Sequence, residues 1–167
     1  MSCVKAWGRA LYSELRKLMT LPAIRWAATA TGAIAIIIVM SALQNKEEGQ
    51  TFSFDEIAPT WTLAVQIGFV AAGVIVAGSE HSTAQGITTL LVTPVRTRLA
   101  AARLMALTGT GLVAASILVG VSLAACPTIS TTALWAGGRT VAWLTGVLLL
   151  AAGLGEALRS SIGALTA

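Results

Sequence analysis

Between its few charged residues the chain runs for long stretches with no charge at all. Residues 26–45, 57–79, 104–138 and 140–155 contain no Asp, Glu, Lys or Arg. A helix needs roughly 20 apolar residues to cross about 30 Å of hydrocarbon. Within lipid, only helices and closed barrels satisfy every backbone N–H and C=O. None of these runs alternates with the period of two that a membrane β-barrel requires. The chain is 56% hydrophobic and only 11% charged over 167 residues, whereas soluble domains carry about 25% charged residues. It is too apolar for that class.

The third run is too long for one span. It breaks at Cys126–Pro127, where proline cannot continue a helix, and the polar tract TISTT follows. The fourth run reaches full length over 134–154 if Arg139 extends its long side chain toward an interface. These limits predict an all-α, polytopic membrane protein, one membrane domain over residues 1–167. Its four transmembrane helices fall near 26–44, 59–78, 104–125 and 134–154. The first apolar run begins after residue 25 and is too long for the apolar core of a cleaved signal peptide.

Lysine and arginine bias orients the spans. Residues 1–25 hold Lys5, Arg9, Arg16, Lys17 and Arg25 against Glu14 alone, and the 79–103 segment carries Arg96, Arg98 and Arg103. The segment between the first two spans is acidic instead, with Glu47, Glu48, Asp55 and Glu56 against Lys46. Basic loops stay inside, so the expectation is a multi-pass protein of the plasma membrane with a cytoplasmic N-terminus and a cytoplasmic 79–103 loop. The net charge of +4 thus reports topology, not a nucleic-acid partner. Cys3 and Cys126 fall on opposite sides of the bilayer and cannot pair within one chain.

Ahead of the first span, Val4, Trp7, Leu11, Leu15 and Leu18 share one helical face, with Lys5, Arg9, Ser13 and Arg16 opposite. That pattern predicts an amphipathic interfacial helix over 4–22, lying against the lipid headgroups and ended by Pro22. Glu14 sits at the edge of the apolar stripe, a solvated acid beside Lys17 at i+3 or a partner for a cation elsewhere. The acidic loop lacks calcium-loop spacing, and its two Phe suit the interface. Trp26, Trp61 and Trp135 suggest an aromatic belt.

Small residues at i and i+4, Gly68–Ala72 and Gly73–Ala77 in the second span and Gly111–Ala115 and Ser116–Gly120 in the third, predict close helix–helix approach. Gln66 within the second span should face protein or a cavity, either lining a pathway or bridging two helices.

No G-x-x-x-x-G-K-[ST] phosphate loop occurs. One histidine, His81, cannot build an H-E-x-x-H zinc site, and no G-x-S-x-G elbow places Ser79 or Ser82 as a nucleophile. The expectation is a non-enzyme that binds no cofactor and no metal.

The stretch from 78 to 104 carries more information than a turn needs. With Glu80, Gln85, Thr88–Thr89–Leu90–Leu91, Pro94, Arg96 and Arg103, it resembles the loop between the second and third spans of ABC-2-type transporter permeases, especially actinobacterial ones. The N-terminal SELRKLMTLPAIRWA is similar to that family's entry to the first span, through Glu14, Lys17, Thr20, Arg25 and Trp26. GLGEALRSSIGAL resembles the start of its fifth span, at Arg159 and Gly163. The family departs at Ala84, Gly86 and Arg103, where Gly, Ile and Lys are common. It also has six spans, so read this way the chain carries four and the opening of a fifth.

The resemblance implies a permease subunit paired with a separate ATP-binding-cassette ATPase, which alone uses ATP, and a homodimer or a heterodimer with another permease in the bilayer. It also implies that 82–91 forms a coupling helix on the ATPase. The candidate coupling residues are Glu80, Gln85, Thr88, Thr89, Pro94, Arg96 and Arg98, flanked by Glu14 and Lys17 of the interfacial helix. The alternative is a non-transporting four-helix scaffold, or an immunity or assembly protein.

Overall fold

A computed structural model describes residues 3–45, 53–82 and 96–165; side chains at some helix ends (3–7, 9, 10, 79–82, 96–99 and 159–165) are not described. Five helices make up the described chain: α1 (Cys3–Thr20), α2 (Pro22–Gln44), α3 (Phe54–Ser82), α4 (Arg96–Ala125) and α5 (Thr131–Leu165). Four of them, α2 to α5, are long and apolar enough to cross a membrane. The protein is an all-α, multi-pass membrane protein.

The helix ends follow from local chemistry. α1 stops at Thr20 and Pro22 opens α2, with only Leu21 between them at an extended φ of −68° and ψ of 114°. Proline suits the first helical position, where its missing N–H had no partner to lose. Thus Pro22 both ends one helix and begins the next. α3 starts at Phe54, five residues ahead of the expected span. Asp55 and Glu56 lie in its first turn, where the helix dipole favours acids. Ser130 caps α5, its Oγ accepting the Ala133 N–H at 3.0 Å, as serine does at this position. Between them, α4 ends just before Cys126–Pro127, as proline dictates.

α5 runs from Thr131 through Leu165 as one helix of 35 residues, about 52 Å at 1.5 Å per residue. Where the sequence suggested a return to the interface and the opening of another span, the chain keeps a single helical course. The 153–165 stretch contains no proline, and its Gly residues are tolerated within a helix at modest cost.

Helix α3 and helix α5 form the central pair, α2 packs on α3, and α4 packs on α5. The buried core gathers Phe54, Trp61, Val65 and Phe69 of α3 with Ala35 and Val39 of α2, Ala115 and Val119 of α4, and Leu144 and Leu148 of α5. Close approach at the central pair rests on Gly73. A Cβ there would lie 2.7 Å from the Leu148 carbonyl oxygen and 2.8 Å from the Ala151 Cβ. Across the α2–α3 crossing, a Cβ on Gly68 would overlap the Thr31 side chain. The small-residue pattern works at these positions, but around Gly120 there is open space.

Most other large apolar side chains point outward. Ile37, Ile67, Val113, Leu150 and Leu154 are each about 60% exposed or more. Soluble monomers do not tolerate so continuous an apolar surface; hydrocarbon does. The aromatic residues divide on this basis. Trp26 and Trp135 are each 77% exposed, whereas Trp61 is fully buried. Trp61 is therefore not part of a belt. It sits against Phe54 edge to face, ring centroids 5.6 Å apart, because α3 begins early enough to bring both residues onto its inward face. Phe54 is likewise a core residue and not an interfacial one.

Candidate functional site

The two ends of the bundle differ in chemistry. At one end, the starts of α3 and α5 meet. Ser53 Oγ donates to Asp55 and lies 3.4 Å from Ser130 Oγ. Ser130 and Thr132 hydroxyls stand 2.7 Å apart, and Thr132 Oγ1 reaches Asp55 Oδ2 at 3.5 Å. A single bridge, Ser53 to Thr128, adds a backbone link. Cys126 is buried beside this cluster, its Sγ donating to the Ser122 carbonyl at 3.3 Å. Burial pushes its thiol pKa up, and the nearby Asp55 and Glu56 carboxylates add to that.

The opposite end gathers α1, the end of α3, the start of α4 and the later part of α5. Here Arg103 makes the main connection. Its guanidinium pairs with Glu156 of α5, and its Nη2 donates to the Val76 carbonyl of α3 at 3.2 Å. One side chain thus ties three helices together. Both charges border the charge-free runs, Arg103 just ahead of residue 104 and Glu156 just after residue 155. Sequence reading placed each at a span end but did not pair them. The available signal was opposite charge at one predicted depth on adjacent spans.

α1 completes this end by packing on α4 and, more lightly, on α2. Lys17 Nζ lies 2.7 Å from Glu14 Oε1, so the i+3 pair forms. Glu14 itself is only 5% exposed, where a solvated acid was expected. The reason is geometric: the edge of the apolar stripe on α1 is the part its neighbours cover. A buried carboxylate needs a paired cation, and Lys17, one turn on, provides it. Leu18 of the same helix packs against the small core of Val76, Leu107 and Ala152.

Of the candidate coupling residues, Glu80 belongs to the last turn of α3, and Arg96 and Arg98 to the first turn of α4. All three lie at the Arg103 end of the bundle, and their side chains lie outside the described set. Gln85, Thr88, Thr89 and Pro94 also lie outside the described residues.

Gln66 sits midway along α3, and its Oε1 accepts the Trp143 indole N–H of α5 at 3.0 Å. It links two helices on the outer face of the central pair. Thr62 and Thr140, with hydroxyls 3.4 Å apart, make a second polar link between the same helices. The indole N–H of Trp61 is buried without a partner among the described residues. No family model, curated protein or solved structure matches this chain.

Proposed function

We propose that this chain is a membrane-spanning subunit of an ABC-2-type transporter, coupling ATP hydrolysis on a separate ATPase to export of a substrate across the plasma membrane. The reading takes the Arg103 end as cytoplasmic. What carries it is the three-helix tie of Arg103 to Val76 and Glu156. A soluble ATPase can move spans only through an element rigidly joined to several of them. The segment after α3 leaves from Ser82, just past Glu80, and returns at Arg96, and Arg103 fastens its two flanking helices to α5. α1 adds a fourth contact at the same end through α4.

The experiment is co-purification with a candidate ATPase, encoded beside this chain's reading frame, after co-expression. Wild type is expected to retain the ATPase. Glu80→Ala and the double variant Thr88→Ala/Thr89→Ala are expected to insert normally and lose it. Undiminished retention by both variants would remove the docking assignment.

A second reading, a non-transporting scaffold or assembly protein, draws support from Gln66. Its carbonyl oxygen accepts the Trp143 indole N–H on the bundle's outer face, which is a helix-bridging role. An ATPase partner separates the two readings, since a scaffold needs none.

A further inference from the structure

A groove of about 450 Å³ opens on the side of the bundle between α2 and α4, floored by α3 and α5. We infer that it seats the acyl chain of an anionic phospholipid, whose headgroup is held at the groove mouth by Arg16 and Arg25. The inference needs the bundle to be in a bilayer and is independent of any transport activity.

The lining determines the chemistry of the occupant. Apart from Thr31 and Thr110, every lining residue among the described ones is apolar. Thr31 Oγ1 donates to the Ala27 carbonyl at 2.6 Å, and Thr110 Oγ1 to the Ala106 carbonyl at 2.8 Å. Both hydroxyls are thus directed back to their own helices. A hydrated solute would find no partner there, and hydrocarbon loses nothing.

Length selects a lipid tail over a helix. Along α4 the groove runs from Leu107 to Leu118, about 17 Å at 1.5 Å per residue. One leaflet of hydrocarbon is about 15 Å deep, half of the full core. The groove closes where Thr31 meets Gly68, and beyond that crossing Ala35 and Val39 are buried against the core. A partner's transmembrane helix would need a channel along the full bilayer. The lining of this one ends at Thr31, Gly68 and Leu118, short of the far ends of α2, α3 and α4.

Charge selects the headgroup. Leu18, Met19 and Ile24 form the groove mouth at the α1–α2 corner. Arg16 and Arg25, both exposed, stand one helical turn before Met19 and Ala28, which line the groove on α1 and α2, and residues three apart are neighbours on a helix surface. Neither is in an ion pair among the described residues. Basic side chains at this depth attract anionic headgroups.

The full-length protein, purified in mild detergent and equilibrated with phosphatidylglycerol or phosphatidylcholine of identical chains, is assayed for retained lipid by native mass spectrometry. Wild type is expected to retain phosphatidylglycerol preferentially, with the preference falling about fivefold for each of Arg16→Gln and Arg25→Gln. Ala28→Trp and Ala114→Phe, which fill the groove from opposite walls at exposed positions, are expected to lose both lipids severalfold. The arginine variants lie on the surface, so they keep the test decisive should one filling variant misfold. Equal retention of the two lipids by wild type overturns the proposal. So does a preference that survives both filled grooves, which would mark headgroup adsorption to a basic surface. A dimer dissolved by groove filling, with lipid retention unchanged, would assign the groove to a second copy instead.

Discussion

Arg103, Glu14 and Gln66 are polar groups placed where hydrocarbon or packed protein surrounds them, and each is paired. The pairs differ in weight. Arg103 is 14% exposed at its side chain and Glu156 is 48%, so the salt bridge itself is half solvated and worth at most about 1 kcal/mol. The Val76 carbonyl adds a hydrogen bond from a charged donor, worth about 1.5–3 kcal/mol. Arg103→Gln is therefore expected to cost about 1–3 kcal/mol and Glu156→Gln less than about 1 kcal/mol, measured by denaturant titration of the protein in detergent micelles. Equal costs would show that the tie to Val76 contributes nothing. For Gln66 and Trp143, a double-mutant cycle of Gln66→Leu and Trp143→Phe should give a coupling near 0.6 kcal/mol, the average for hydrogen bonds within membranes. A coupling of zero would mean the indole finds another partner when Gln66 is absent.

At the scale of the helices, the sequence was informative where the bilayer dictates length and where proline or serine stops or starts a turn. The charge-free runs, Pro22 and Cys126–Pro127 mark breaks that no packing can override, so the four spans were legible. Which face of each helix is covered was not. Trp61 and Trp135 are the same residue type at comparable predicted depths, yet one is fully buried and the other 77% exposed. The difference is whether a neighbouring helix covers that face, and in an apolar span every face has similar composition. The same limit hid Glu14, buried by its neighbours, and the Arg103–Glu156 pair, which joins residues distant in sequence. Small residues carry the pairing information only in part, as Gly73 and Gly120 illustrate. Gly73→Ala is expected to destabilise the α3–α5 contact by about 1–3 kcal/mol, since its methyl meets backbone that cannot yield. Gly120→Ala meets open space and should be neutral or stabilising by up to about 1 kcal/mol through helix propensity. Unfolding titrations of the two variants check this, and a reversed order would refute the packing described for the central pair.

For the whole molecule, four spans bring α1, the end of α3, the start of α4 and the later part of α5 to one end, and the Ser53–Asp55–Ser130–Thr132 cluster to the other. The candidate coupling site was legible as a sequence segment, 79–103, because its polar residues interrupt apolar runs. Its frame was not, because the frame is a tertiary contact through Arg103. A soluble ATPase can reach this segment only if the Arg103 end faces the cytoplasm. The direct measurement is labelling of single cysteines with a membrane-impermeant maleimide, in a background with Cys3 and Cys126 replaced by serine. Cysteines at Tyr12 and Leu158, both exposed at the Arg103 end, should label only after the cells are opened. Cysteines at Ser53 and Thr132 should label on intact cells. Labelling of Tyr12 from outside would place the 79–103 segment beyond reach of any ATPase, and labelling of Tyr12 and Leu158 from opposite sides would contradict the four-span bundle itself.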